Sequence, residues 1–169
     1  MKKWGWLLGI TAWFTSVHAA EPTLNWDAMI HLDAEALAEE GIAEHYVQDV
    51  LPTLRQYVAH PLAVSEQVDS DAAIYTVSAG GQQYAIFSPQ ISEADSWGRA
   101  TWAFFDIVNR QLSASDYRFY AFYNGNDLSG MFLTRQAYQQ YVDGLSRMSR
   151  KTEIPYIPSA EAPWYGQPH

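Results

Sequence analysis

Two tight turns, each set between runs of strand-forming residues, constrain the fold of this chain more than any other feature. The first is Gly80-Gly81, flanked by "AAIYTVSA" (72–79) and "QQYAIFS" (82–88). Paired glycines supply the positive φ that both central positions of a two-residue hairpin require. The second is Asn124-Gly125-Asn126-Asp127, between "YRFYAFY" (117–123) and "LSGMFLT" (128–134). Asn-Gly favours positive φ, and Asn and Asp side chains bond their own backbone two residues on. This polar knot therefore reads as a turn rather than a site. A weaker strand, "LAVSEQV", precedes the first hairpin.

Helical signals fill the remainder. Asp33 is placed to cap a helix that Gly41 stops. Beyond it, Ile42, Tyr46, Val50, Leu54 and Val58 recur at helical spacing, with Pro52 inside the run forcing a kink or restart. Ser92 and Asp95 form a capping box ahead of an apolar face made by Trp97, Ala100, Thr101, Phe104, Ile107, Val108 and Leu112. Thr134 caps a last helix bearing Tyr138, Tyr141 and Leu145. Residues 152–169 hold four prolines with Tyr156, Trp164 and Tyr165, an extended tail. The expected fold class is α+β: an antiparallel sheet of about four to five strands from two β-hairpins, packed with about four helices.

The first residues, "MKKWGWLLGITAWFTSVHAA", have the layout of a secretory signal. Lys2 and Lys3 precede an apolar core shorter than the ~20 residues of a bilayer span, and Val17-His18-Ala19 offers small residues for cleavage. We therefore expect residues 1–19 to be removed, leaving 20–169 as a single domain with no stable membrane insertion. The chain has no cysteine, which excludes thiol nucleophiles, thiolate metal sites and disulfides. At this length a core can form without such staples. The expected location is the periplasm, with the external medium as the alternative.

Charge sets the expected partner. The whole chain carries −9; loss of Lys2 and Lys3 leaves 19 acidic and 8 basic residues, net −11. Residues 20–96 hold 13 acids and a single base, Arg55, whereas 97–169 hold 6 acids and 7 bases. So acidic a half disfavours nucleic acid and anionic lipid and favours a basic protein. The binding candidates are Asp33, Glu35, Glu39, Glu40, Glu44 and Asp49, on or near the first two helices.

Catalytic signals are weaker. His45 and Asp49 stand one helical turn apart, too few ligands for a metal centre. The run Asp69-Ser70-Asp71 precedes a strand and has turn composition. No nucleophile elbow or phosphate-cradling glycine loop is present. No catalytic residue, metal site or cofactor is therefore assigned. The expected function is an exported acidic protein that captures or inhibits a cationic protein. Two alternatives are a small envelope hydrolase drawing on Asp127, Ser129 or His45, and an envelope structural or assembly subunit. In "YRFYAFY" rings lie on both faces, so a second cover is needed, supplied either by the tail or by a partner.

Overall fold

The computed structural model describes residues 24–123, 125–146 and 154–163. The signal-like segment, its expected cleavage point, Asn124 and residues 152–153 and 164–169 of the tail lie outside them. The architecture is α+β, with two antiparallel three-stranded sheets. One sheet has the order β1-β6-β5, from β1 (Ile30–His31), β6 (Ser129–Thr134) and β5 (Tyr117–Phe122). The other has the order β2-β3-β4, from β2 (Val64–Asp69), β3 (Ile74–Ala79) and β4 (Gln82–Phe87). The two hairpins thus belong to separate sheets rather than to one. β1 adds to the second hairpin through β6, which it meets at Ile30–Gly130 and His31–Ser129.

Gly80 and Gly81 take φ of 57° and 80°, the left-handed pair of a primed two-residue turn. The second connection is built differently. A 3-10 turn, Gly125–Asp127, links its strands, and Tyr123 holds the positive φ, 60°.

The helices start where side-chain caps place them. Asp33 Oδ1 accepts from Ala36 N–H at 3.0 Å to open α1 (Ala34–Glu39). Gly41 follows because a Cβ there would lie 2.8 Å from the Ala36 carbonyl oxygen. The next helix runs as α2 (Ile42–His45), a π turn (Tyr46–Val50) and α3 (Leu51–Leu54). Pro52 sits just past the π turn; its ring crowds the carbonyl four residues back, and the wider turn removes the clash without ending the helix. Ser92 caps α4 (Glu93–Gln111), and Thr134 Oγ1 accepts from Ala137 N–H to open α5 (Arg135–Ser146).

α4 is the central element. Phe104, Phe105, Ile107 and Val108 are all buried, packed with Val77, Tyr84 and Ile86 of one sheet and Phe119 of the other. The opposite face of β5 forms a second, smaller cluster: Tyr120, Phe122, Met131 and Leu133 pack with Leu24 and with Tyr138 and Tyr141 of α5. Tyr120 and Tyr138 stack with centroids 4.4 Å apart. The two-faced strand is therefore covered by α5 and the segment near Leu24. The tail serves the strand's edge instead, where Tyr156 and Ala121 exchange backbone hydrogen bonds of 2.7 and 3.0 Å.

Candidate functional site

A cleft of about 780 Å³ opens where the α1–α2 junction, the β2–β3 turn and the first turns of α4 meet. Local rules put its side chains there. Gly41 breaks the first helix, which leaves Glu39 and Glu40 at a helix end and Glu44 in the first turn of the next. Asp69 closes β2, and its Oδ1 accepts from Ala72 N–H at 2.9 Å to shape the turn. Glu93 opens α4 behind its Ser92 cap, where a helix N-terminus favours an acid.

These five carboxylates line the cleft, with no lysine, arginine or histidine among the described residues that line it. The carboxylates of Glu39, Glu40 and Glu93 make no hydrogen bond or ion pair to any described residue, whereas that of Glu44 accepts from Gln48 at 2.9 Å. The rest of the lining is largely apolar: Val68, Ile74, Phe87 and Trp97, with Val68 and Ile74 39% and 40% exposed. Ala73, also on the wall, holds a left-handed φ of 53°. An L-residue pays roughly 1 kcal/mol for that conformation, so the turn is held against local preference.

Tyr75 forms the floor. Its hydroxyl donates to Glu66 Oε1 at 2.6 Å and accepts from Ile42 N–H at 3.3 Å, while the same Glu66 oxygen accepts from Ala43 N–H at 2.7 Å. Burial, followed by the bond to Glu66, pushes the Tyr75 phenol far above its ordinary range. A strand carboxylate and a tyrosine thus hold the start of α2 against the sheet.

The six acids singled out in the sequence separate. Glu39, Glu40 and Glu44 share the cleft. Asp33 is committed to capping α1, and Asp49 Oδ2 lies 2.6 Å from His45 Nδ1. Glu35 is exposed on α1, outside the cleft lining. Sequence reasoning missed Asp69 and Glu93 as site residues because each sits in a strong local signal, a turn and a capping box. By spacing alone, Trp97 belongs to the apolar face of α4.

A smaller hollow of about 320 Å³ is lined by His31, Tyr123, Asn126 and Asp127. Ser129 lies beside it, with Oγ 3.2 Å from His31 Nδ1 and 3.3 Å from the Asp127 carbonyl oxygen. The Ser129 proton goes to the Asp127 carbonyl in one imidazole tautomer and to His31 Nδ1 in the other. A nucleophile uses the second form. Ser129 is nevertheless only 1% exposed. The arrangement fastens β1 to β6 and clamps the turn. His45 is engaged with Asp49 on the π-turn helix instead.

Among the described residues no group of three His, Asp or Glu side chains is arranged to hold a metal ion. No described helix is long and apolar enough to cross a membrane. No protein-family model matches the chain, and no curated protein or solved structure shows significant similarity to it.

Proposed function

We propose that this chain is an exported acidic binding protein that captures a cationic protein in the periplasm, as an inhibitor or toxin-neutralising protein does. The observation that carries the reading is the cleft of five carboxylates around an apolar wall, without a basic side chain among the described residues of its lining. Carboxylates gathered this way repel one another in the free protein and gain most from a basic group placed among them. Apolar residues left open beside them provide the contact area that charge alone does not. A lysine or arginine suits both: its stem packs on Val68 and Trp97 while its charge meets the acids. The charge asymmetry of the sequence acts in the same direction, steering a basic partner toward the acidic half.

Capture of envelope and secreted proteins on the immobilised chain, washed with rising salt, tests this. A basic protein is expected to be retained at low salt and released as the field is screened. Reversing Glu39, Glu40, Glu44, Asp69 and Glu93 to lysine is expected to abolish retention. Retention of nothing basic, or retention indifferent to that reversal, refutes the proposal.

A further inference from the structure

Each sheet has two outer edges, and an open edge presents unpaired N–H and C=O groups to any extended chain. Two of the four are managed here and a third is covered in part. β1 is only two residues long. On β4 the described residues meet only carbonyls: Arg99 Nη1 donates to that of Ala85 at 3.4 Å and Gln82 Nε2 to that of Gln83 at 3.5 Å. On β5 the closure runs residue by residue. Ser115 Oγ accepts from Tyr117 N–H, and the Asn109 amide both accepts from Phe119 N–H and donates to its carbonyl, each at 2.8 Å. Tyr156 then pairs with Ala121 and reaches the Tyr123 carbonyl through its hydroxyl.

β2 is different. The two-residue turn at Gly80-Gly81 makes Ala79 and Gln82 a hydrogen-bonded pair, so Ala79, Val77 and Tyr75 direct their main-chain groups toward β4. Ser78, Thr76 and Ile74 therefore bond Ser65, Gln67 and Asp69, and the main-chain groups of Glu66 and Val68 point outward. No hydrogen bond from a described residue meets them. Val68 and Asp69 also line the acidic cleft.

We infer that β2 is the docking strand of this protein, and that its open edge pairs with an extended basic segment of the partner. Residues directly opposite on adjacent strands project to the same face. A partner residue opposite Val68 therefore sends its side chain to the side on which Val68 borders the cleft. A lysine or arginine there lays its stem on Val68 and brings its charge to the carboxylates. Main-chain pairing supplies affinity and the cleft selects basic over acidic sequences, the division of labour of strand addition. This inference rests on the reading of a cationic partner and adds how that partner is held.

The test uses the full chain and two octapeptides, one alternating lysine with valine and one alternating glutamate with valine. The lysine peptide is also made with its main-chain nitrogens methylated. Expected results are binding of the lysine peptide only, weakened by about tenfold on methylation, and slowed exchange of the Glu66 and Val68 amides in the complex. Val68→Pro, which removes an outward N–H and keeps every charge, is expected to weaken binding comparably, since edge strands tolerate proline at such positions. Should that variant fail to fold, methylation and amide exchange on the unaltered chain still decide. Equal binding of both lysine peptides, or fast amides in the complex, overturns strand docking and leaves the cationic reading standing. Equal binding of the lysine and glutamate peptides, or no binding of either, overturns both.

Discussion

The Tyr75 hydroxyl donates to Glu66 Oε1 at 2.6 Å across neighbouring strands, and that same oxygen accepts from Ala43 N–H at 2.7 Å. The pair joins the β2–β3 ladder to the start of α2, which forms one side of the cleft. Tyr75→Phe leaves the Ile42 N–H and one lobe of Glu66 without their partner. A loss of about 1–2 kcal/mol is expected in urea unfolding. Glu66→Gln should cost a similar amount, and the double variant less than their sum, because both remove one network. Strict additivity in that cycle would show that the two groups act independently.

The same tyrosine sets an alkaline limit. Burial and the Glu66 bond raise the Tyr75 phenol, and burial with the Asp106 bond pushes Tyr84 up to about 12. A raised phenol pKa means the native state holds its proton more tightly than the unfolded chain does, whose tyrosines titrate near 10.0. Stability from these groups is complete below pH 10 and is lost as pH climbs toward 12 and beyond. The unfolding midpoint should fall steeply over that window. In Tyr84→Phe the fall should be shallower. An unchanged slope would remove Tyr84 as a contributor.

Much of this was legible in the sequence, because capping and turn signals are local. Asp33, Ser92 and Thr134 start their helices as read, and Gly80-Gly81 makes its hairpin. What local signals do not carry is which edges meet. β1 is two residues with no periodicity of its own, and only its pairing with β6 makes it a strand. Asn109 reads as the polar side of α4, yet its amide serves as a substitute strand for Phe119. The cleft was half visible: the acidic charge near the first two helices pointed to Glu39, Glu40 and Glu44, while Asp69 and Glu93 come from segments that only the fold brings beside them.

Glycine positions separate strain from crowding. A Cβ at Gly130 would run into the Phe119 ring, and Phe119 is itself buried, stacked on Phe105 at 4.9 Å. The ring has no free direction, so Gly130→Ala should lose about 1–3 kcal/mol or more through overpacking. At Gly81 the added methyl meets open space but the φ is +80°. Gly81→Ala should then cost only about 1 kcal/mol, the conformational part alone. Equal losses in the two variants would count against the Phe119 contact.

Ser129 provides a check on the hydrolase reading. Its Oγ lies 3.2 Å from His31 Nδ1 and 3.3 Å from the Asp127 carbonyl oxygen, and the residue is buried. Ser129→Ala should leave capture of a basic protein unchanged and lower stability by about 1 kcal/mol. Turnover of peptidoglycan or an ester substrate by the purified chain, lost in Ser129→Ala with the fold intact, would reverse the assignment.

Salt offers the last test, because the cleft acids act in opposite directions before and after a partner arrives. In the free chain Glu39, Glu40, Glu44, Asp69 and Glu93 repel one another with no base among the described residues of the lining, and added salt should raise the melting temperature. The Debye length falls from about 30 Å at 0.01 M to about 8 Å at 0.15 M, so most of the gain should come within that range. Capture of a basic protein should weaken over the same range, chiefly through slower association. Replacing Glu39, Glu40 and Glu44 by glutamine should flatten both responses, since the three supply most of the cleft's charge. A variant that flattens neither would place the electrostatic surface elsewhere on the acidic half, with Glu35 on α1 the first residue to examine.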